Sequence, residues 1–231
     1  MKTLGLIGGI SWISTIDYYR YINEGINAQL GGLNFAQCLL YSFSYQEIVS
    51  NGMKGDFEAT YTRLEEVSKM LEADGVVALV LCANTMHMFA DRLQQSINIP
   101  VIHIGTATAS VIKARRLKKV ALLGTKFTME HDFIKDKLKQ QGLEVIIPGE
   151  ADIAYIHKTL TDELGKGIIK AETKAKYLGI IDGLVAQGAE GVILGCTEIP
   201  LLLNQGDMAV PAFDTTKIHA DAAVAFMLNM G

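Results

Sequence analysis

Short apolar runs alternate along the chain with longer segments in which apolar residues recur at helical spacing. This alternation is typical of parallel sheets whose strands are joined by helices. Eight strands are predicted, at 3–7, 37–41, 75–81, 101–104, 119–123, 144–147, 191–194 and 209–213. Helices are predicted between them, at 15–27, 57–73, 86–96, 128–141, 171–186 and 216–228.

The most apolar strand-to-turn segments occur twice, in the same order. Segments 4–9, 80–85 and 99–103 resemble segments 120–125, 193–198 and 210–214 respectively. A repeat of this kind indicates duplication of a supersecondary unit. We therefore predict an α/β fold of two pseudo-symmetric, doubly wound, flavodoxin-like domains with parallel sheets, and an active site between them. The N-terminal half is placed at 1–98 plus 209–231, and the C-terminal half at 99–208.

Ligands of doubly wound folds bind at the carboxyl ends of the strands, so the polar residues that follow the strands are the site candidates. No charged residue dominates this set, which favours a small molecule held by hydroxyl, amide and backbone N–H groups. Neither a dinucleotide fingerprint nor a phosphate loop is present. The candidates are Gly8, Gly9, Ser11, Trp12, Asn84, Thr85, Thr125, Thr128, Cys196, Thr197 and Glu198.

Charge and cysteine content narrow the function classes. The formal net charge of −4 argues against a nucleic-acid partner, and no apolar stretch approaches the ~20 residues needed to span a membrane. We therefore expect a cytoplasmic protein. The three cysteines, Cys38, Cys82 and Cys196, lack the paired spacing of a disulfide framework or a zinc site. Free thiols and no bound metal are the expectation.

Several motifs together resemble the aspartate/glutamate racemase superfamily, and most closely its L-aspartate/glutamate-specific and broad-specificity amino-acid racemase branch. The resemblance covers nearly the whole chain. It is carried by Gly8-Gly9-Ile10-Ser11-Trp12, Cys82-Ala83-Asn84-Thr85-Met86-His87, Leu123-Gly124-Thr125, Phe127-Thr128-Met129, Gly195-Cys196-Thr197-Glu198 and Ile218-His219-Ala220.

The resemblance implies a homodimeric, pyridoxal-independent amino-acid racemase with no cofactor. Such enzymes use two acid/base residues on opposite faces of the substrate Cα, usually one cysteine from each half. The second of these cysteines corresponds to Cys196. The remaining implied positions are substrate-binding ones, namely Ser11, Trp12, Asn84, Thr85, Thr125, Thr197 and Lys166, with Asn84 and Thr85 holding the α-carboxylate.

The chain departs from the family pattern at Ala83, where the first catalytic cysteine is expected. The repeat also pairs Ala83 with Cys196. Cys82 lies one residue earlier, and successive strand residues face opposite sides of a sheet. We therefore expect Cys82 in the core, unless a local bulge turns it into the site.

Ala83 leaves four interpretations open. The protein is a racemase with Cys196 as its one thiol, and water, Thr85 or a displaced Cys82 serves the other face, so that turnover is slow or directionally biased. Alternatively, Ala83 is an engineered replacement of a catalytic residue. A third interpretation is a single-cysteine decarboxylase related to the aryl-malonate decarboxylases of the same superfamily. The fourth is an amino-acid-binding protein without catalysis.

Overall fold

The computed structural model describes residues 1–229 and contains two four-stranded parallel sheets with flanking helices. The strands are β1 (Leu4–Gly8), β2 (Cys38–Ser42), β3 (Leu79–Leu81), β4 (Val101–Ile102), β5 (Lys119–Gly124), β6 (Glu144–Ile146), β7 (Val192–Gly195) and β8 (Ala212–Asp214). Their orders are β2-β1-β3-β4 and β6-β5-β7-β8. All eight predicted strands are thus present, in the α/β architecture expected from the sequence.

The helices are α1 (Trp12–Leu30), α2 (Tyr45–Met53), α3 (Phe57–Ala73), α4 (Ala90–Gln94), α5 (Ile104–Ala114), α6 (Lys126–Glu130), α7 (Asp132–Gln140), α8 (Glu150–Asp162), α9 (Ala171–Ala186), α10 (Ile199–Leu202) and α11 (Thr215–Met227). Short 3₁₀ helices lie at Asn84–Phe89, Leu164–Lys166 and Gln205–Asp207. The sequence prediction matches α3 and α9 at both ends. It missed α2, α5 and α8. It joined the 3₁₀ helix after β3 to α4, and it predicted α6 and α7 as one helix at 128–141.

The two sheets belong to two compact units. One comprises Met1–His103 and the chain from His219 onward, and the other comprises Ile104–Ile218. Strand β4 pairs with β3, and β8 pairs with β7. The chain therefore leaves each sheet only after these strands. The limits of the units lie at 103/104 and 218/219, about five and ten residues later than the 98/99 and 208/209 predicted from the sequence.

Strand pairing has the same register in both sheets. Ile7 of β1 pairs with Leu81 of β3, and Leu123 of β5 pairs with Leu194 of β7. These are the residues that the internal repeat aligns. The repeated segments therefore occupy equivalent positions in their own units, and this equivalence extends to the residues that follow the strands.

Each sheet is buried on both faces by separate apolar clusters. In the first unit, Leu79 and Leu81 pack on one side of the sheet with residues of α3. Val80 and Cys82 pack on the other side with residues of α1 and α11. A central parallel strand is expected to direct alternate side chains to two buried faces. The same alternation determines which residue after β3 enters the core.

Candidate active site

The turn after β1 is held in a strained conformation that only a few residues tolerate. Gly9 has φ +84° and Ser11 has φ +84°, a region unusual for a residue with a side chain. A Cβ on Gly8 would lie 2.4 Å from the Cγ2 atom of Thr15. The Gly9 N–H donates to Thr15 Oγ1 at 2.9 Å, so the glycines allow α1 to start close to the strand end.

Ser11 and Trp12 lie at the start of α1, beside the end of β3. The Ser11 side chain caps the helix by accepting from the Ser14 N–H at 3.4 Å. Ser14 Oγ in turn donates to the backbone carbonyl of Cys82 at 2.8 Å. These bonds bring the predicted site residues of two neighbouring strands together. Trp12 is 67% exposed.

Cys82 lies in the core and Ala83 lies on the other side of the strand. The Cys82 side chain is fully buried among residues that include Tyr18, Ala220 and Val224. Burial raises the pKa of the Cys82 thiol far above its ordinary value. Ala83 packs with Ile10 and the other residues of the opposite cluster. The structure thus has the side-chain directions expected from strand alternation.

The segment after Ala83 begins a 3₁₀ helix that contains Asn84 and Thr85. Asn84 is buried and Thr85 is partly buried. His87 follows one turn later, and its Nδ1–H donates to the Ala83 carbonyl at 3.0 Å. Asn84 and Thr85 therefore lie just beyond the carboxyl end of β3, in a turn that the His87 bond to the Ala83 carbonyl braces.

In the second unit, Thr125 and Cys196 directly follow paired residues of neighbouring strands. Gly124 of β5 pairs with Gly195 of β7. A Cβ on Gly195 would lie 2.8 Å from the carbonyl oxygen of Leu123, so this close approach requires glycine. Thr125 caps α6 by accepting from the Thr128 N–H at 3.1 Å. The two strand ends thus present a hydroxyl and a thiol side by side.

Cys196 donates its thiol proton to a carboxylate. The Cys196 Sγ atom lies 2.8 Å from Glu198 Oε2, and the Thr197 hydroxyl donates to the same oxygen at 2.9 Å. All three residues are partly buried. Burial, the negative charge of Glu198 and this hydrogen bond together raise the pKa of the Cys196 thiol well above its usual range. At neutral pH the group is therefore a neutral thiol.

Glu198 is a strand-end candidate to which sequence reasoning gave no role in catalysis or substrate binding. The residue directly follows Cys196-Thr197, and it is the one charged side chain among the strand-end candidates. That charge was the available signal. The direction of the side chain back toward the thiol depends on its rotamer, which residue spacing does not specify.

Lys166 lies in the 3₁₀ helix Leu164–Lys166, in the same unit as Cys196. This short helix contacts α10, which follows the loop that contains Cys196. The ammonium group of Lys166 is largely exposed and lies 3.8 Å from Asp162. A surface ion pair of this length holds the side chain only weakly.

Residues 1–229 contain neither a metal-binding cluster nor a membrane-spanning helix. Across that range, no group of three or more His, Cys, Asp or Glu side chains has an arrangement that could hold a metal ion. Over the same residues, none of the helices combines the length and apolar character of a membrane span. Cys38, Cys82 and Cys196 are free thiols.

Comparison with known proteins defines the class to which this fold and site belong. The Asp/Glu/Hydantoin racemase family model matches residues 7–223. The chain belongs to this family, as its motifs indicated.

Two curated relatives of the chain are named as racemases. It is 26% identical over 165 residues to the broad specificity amino-acid racemase RacX of Bacillus subtilis, covering 68% of each chain. It is 28% identical to the glutamate racemase of Sulfurihydrogenibium sp., covering 74% of this chain and 65% of that protein. The chain thus spans about two thirds of the length of both relatives.

Solved structures resemble the chain over its whole length. A Yersinia pestis protein described as a candidate Asp/Glu racemase is 44% identical, with a TM-score of 0.95 and coverage of 99% and 100%. PH1733 of Pyrococcus horikoshii, an aspartate racemase homologue, is 33% identical, with a TM-score of 0.88 and the same coverage. The architecture is therefore that of the Asp/Glu racemases.

Proposed function

We propose that this protein is a cofactor-independent amino-acid racemase of the aspartate/glutamate type in which Cys196 transfers the proton at Cα. The observation that carries the proposal is a partly exposed thiol at the carboxyl end of a central strand, next to the hydroxyls of Thr125 and Thr197. This edge is where doubly wound folds bind their ligands. Family membership supports the same reaction class.

The proposed reaction needs a thiolate to remove the Cα proton and a donor to return it. When Cys196 is ionised, its sulfur takes the Cα proton and the bond electrons delocalise into the substrate carboxylate. Asn84, Thr85 and the N–H groups after Cys196 are proposed to bind that carboxylate, with Ser11, Trp12 and Lys166 as further substrate contacts. Hydrogen-bond donors aimed at the developing negative charge lower the barrier.

Ala83 contributes no proton to the reaction. With Cys82 closed inside the core cluster, water or the Thr85 hydroxyl is the proposed donor for the other face. Turnover is then slow, or faster in one stereochemical direction than in the other. An engineered origin of Ala83 predicts the same biased turnover and a large gain on restoring the lost side chain.

The test is exchange of the Cα hydrogen with solvent. We expect deuterium to enter L- and D-aspartate or L- and D-glutamate in D₂O with the wild-type protein, and the Cys196→Ala variant to lose this activity. If no proteinogenic amino acid exchanges its Cα hydrogen with solvent, the proposal is wrong. Tight amino-acid binding without exchange would instead identify a binding protein.

A decarboxylase is the second candidate, and one specific observation favours it. Cys196 rests as a neutral thiol bonded to Glu198, and the equivalent position carries only a methyl group. Decarboxylation of a substituted malonate creates a carbanion without any base, so one thiol acid is sufficient. Release of carbon dioxide from aryl-substituted malonates, with loss of the signal in Cys196→Ala, would establish this function.

Assembly and location form part of the same proposal. We propose a homodimer in the cytoplasm that acts on a free amino acid. The support is the set of three free thiols, typical of a reducing compartment, together with exposed apolar side chains on α1 and β2. These include Ile16, Tyr19, Leu39 and Leu40. Light scattering at micromolar concentration measures the oligomeric state, and a monomer would refute this part.

A further inference from the structure

Glu198 differs from Glu163 and Asp207, two other partly buried acidic residues of its unit, because no cationic side chain among the described residues compensates its charge. Glu163 accepts from Lys170, and Asp207 from Lys174, each at an ion-pair distance below 3 Å. In the described part of the chain, by contrast, no Lys, Arg or His lies within ion-pair distance of Glu198. Its carboxylate accepts hydrogen bonds from the Cys196 thiol and the Thr197 hydroxyl. A partly buried carboxylate with two neutral donors can still attract a cation.

Within residues 1–229, no other ionisable side chain near Cys196 provides a positive charge that would compensate Glu198. Tyr177 of α9 and Tyr155 of α8 belong to the apolar cluster against which Cys196 packs. The Tyr177 phenol bonds to Thr159 at 3.0 Å, and burial raises its pKa, so it stays neutral. Glu163, which acts on Tyr177 from a greater distance, is itself bonded to Lys170 and Thr173. Glu198 is thus the charge that controls the thiol.

We propose that Glu198 binds the α-ammonium group of an amino-acid substrate, and that this ion pair releases the Cys196 thiol to ionise. The inference rests on the proposed function, whose substrate class it narrows. In the free protein the carboxylate accepts the S–H bond and holds the proton on sulfur. An ammonium group beside Glu198 cancels the negative charge that disfavours a thiolate.

The chemical balance of this step is simple. The S–H bond of Cys196 breaks, its proton passes to water at the exposed side of the residue, and both bonding electrons remain on sulfur. The thiolate so formed is the base that the racemase reaction needs. No oxidant, metal or further reactant takes part. The base is therefore produced when a substrate of the correct charge is bound.

The ion pair with Glu198 also selects substrates by their charge. An α-amino acid brings a cation to Glu198, whereas succinate and malonates bring only negative charge to it. Like charges placed close together at a partly buried site are unfavourable. We therefore expect α-amino acids to bind and promote ionisation, and dicarboxylates that lack the amino group to bind poorly and to leave the thiol protonated.

The first measurement follows thiolate absorbance in the ultraviolet against pH, without ligand. The Cys196→Ala variant is subtracted to remove the signals of Cys38 and Cys82. In Glu198→Gln we expect the thiolate fraction of Cys196 at pH 8 to rise about tenfold, the change that one pKa unit produces. Glu172→Gln makes the same chemical change at an exposed residue of α9 and should leave the curve unchanged.

The second measurement adds ligand to the intact protein. Saturating L-aspartate or L-glutamate should raise the thiolate signal of the wild-type protein, and succinate should not. In Glu198→Gln, L-aspartate should produce no further rise. If neither amino acid raises the signal, or if Glu198→Gln retains the wild-type pH curve, the inference is overturned.

The outcomes separate this inference from the proposed function. Cα deuterium exchange without a ligand-dependent thiolate signal would refute the role of Glu198 and leave the racemase intact. A ligand-dependent thiolate without exchange would support the role of Glu198 and refute racemisation. Circular dichroism of Glu198→Gln confirms that the variant is folded before either measurement is interpreted.

Discussion

Ala83 and Cys196 occupy the same register position in their respective sheets. Each lies two residues beyond a paired residue of a central strand, Leu81 in one sheet and Leu194 in the other. The two residues therefore occupy equivalent backbone positions, although the side chain of Ala83 is a methyl group and that of Cys196 carries a thiol. The neighbouring residues differ as well, since the core residue Cys82 precedes Ala83 whereas Gly195 precedes Cys196.

Loss of the thiol is the most direct test of the proposed chemistry. Cys196→Ala should reduce Cα exchange of aspartate and glutamate by about 10²-fold or more, since a positioned acid/base group contributes on that scale. Proton magnetic resonance in D₂O measures the rate. Cys38→Ala serves as the matched control, because Cys38 lies in an edge strand outside the proposed site. Equal rates in all three proteins would contradict the role of Cys196.

Restoring a thiol at position 83 should produce a two-base enzyme. We expect Ala83→Cys to increase racemisation in both directions by about 10²-fold, and Ala83→Thr to favour one direction. Ala83→Ser provides a control of similar volume with a much weaker acid. Polarimetry from each pure enantiomer measures the two directions.

Position 83 is almost fully buried, so a larger side chain has little space there. Ala83 is 8% exposed, so added atoms should cost about 1–3 kcal/mol of stability, and thermal unfolding checks that the variants remain folded. A folded Ala83→Cys variant no faster than Ala83→Ser would show that position 83 does not face the reacting carbon.

Cys82 should prove structural. Its sulfur is enclosed by the cluster between the sheet and helices α1 and α11, so Cys82→Ala should lower the free energy of unfolding by about 1 kcal/mol. Cα exchange should remain near the wild-type rate. Urea denaturation and the exchange assay, run on the same preparation, measure the two effects. A large loss of exchange with unchanged stability would place Cys82 in the reaction.

Stability should fall as the solution becomes acidic, because two histidines are buried in neutral form. Burial lowers the pKa of His87 to about 4 and that of His219 to about 3. Their unfolded values are about 6.5, so the unfolded chain binds more protons below that pH. The stabilisation is present above pH ~6.5 and is lost as the pH falls through the folded-state values.

The size of this effect can be measured by denaturation. His87 alone should remove about 2 kcal/mol of unfolding free energy between pH 7 and pH 5. Urea titrations at both pH values test this expectation. His87→Gln should flatten the dependence, whereas His131→Gln, at an exposed residue, should not. An unchanged pH dependence in His87→Gln would contradict the prediction.

Sequence reasoning predicted the parts of the fold that depend on strong periodicity. Apolar strands and the amphipathic helices α3 and α9 carry that signal, and the repeat aligned Leu81 with Leu194 as the pairing register does. Helix α5 was missed because its first residue, Ile104, was assigned to the preceding strand, which was predicted at 101–104. For α8, the polar residues at its start were not read as a helix beginning.

The sequence predicted where the residues of the candidate site lie, but it did not predict the ionisation state of the Cys196 thiol. Strand ends and family motifs pointed to Cys196, and strand alternation placed Cys82 in the core. The ionisation state of the thiol depends on burial and on the position of the Glu198 carboxylate. Both are properties of three-dimensional packing, so residue spacing alone did not reveal them.

The shared register has a practical consequence for protein engineering. Because strand pairing has the same register in both sheets, we expect a segment grafted from one half into the other to keep its backbone position, provided that the core residue Cys82 is retained. The sequence that surrounds Cys196 is thus a ready template for rebuilding the strand end at Ala83.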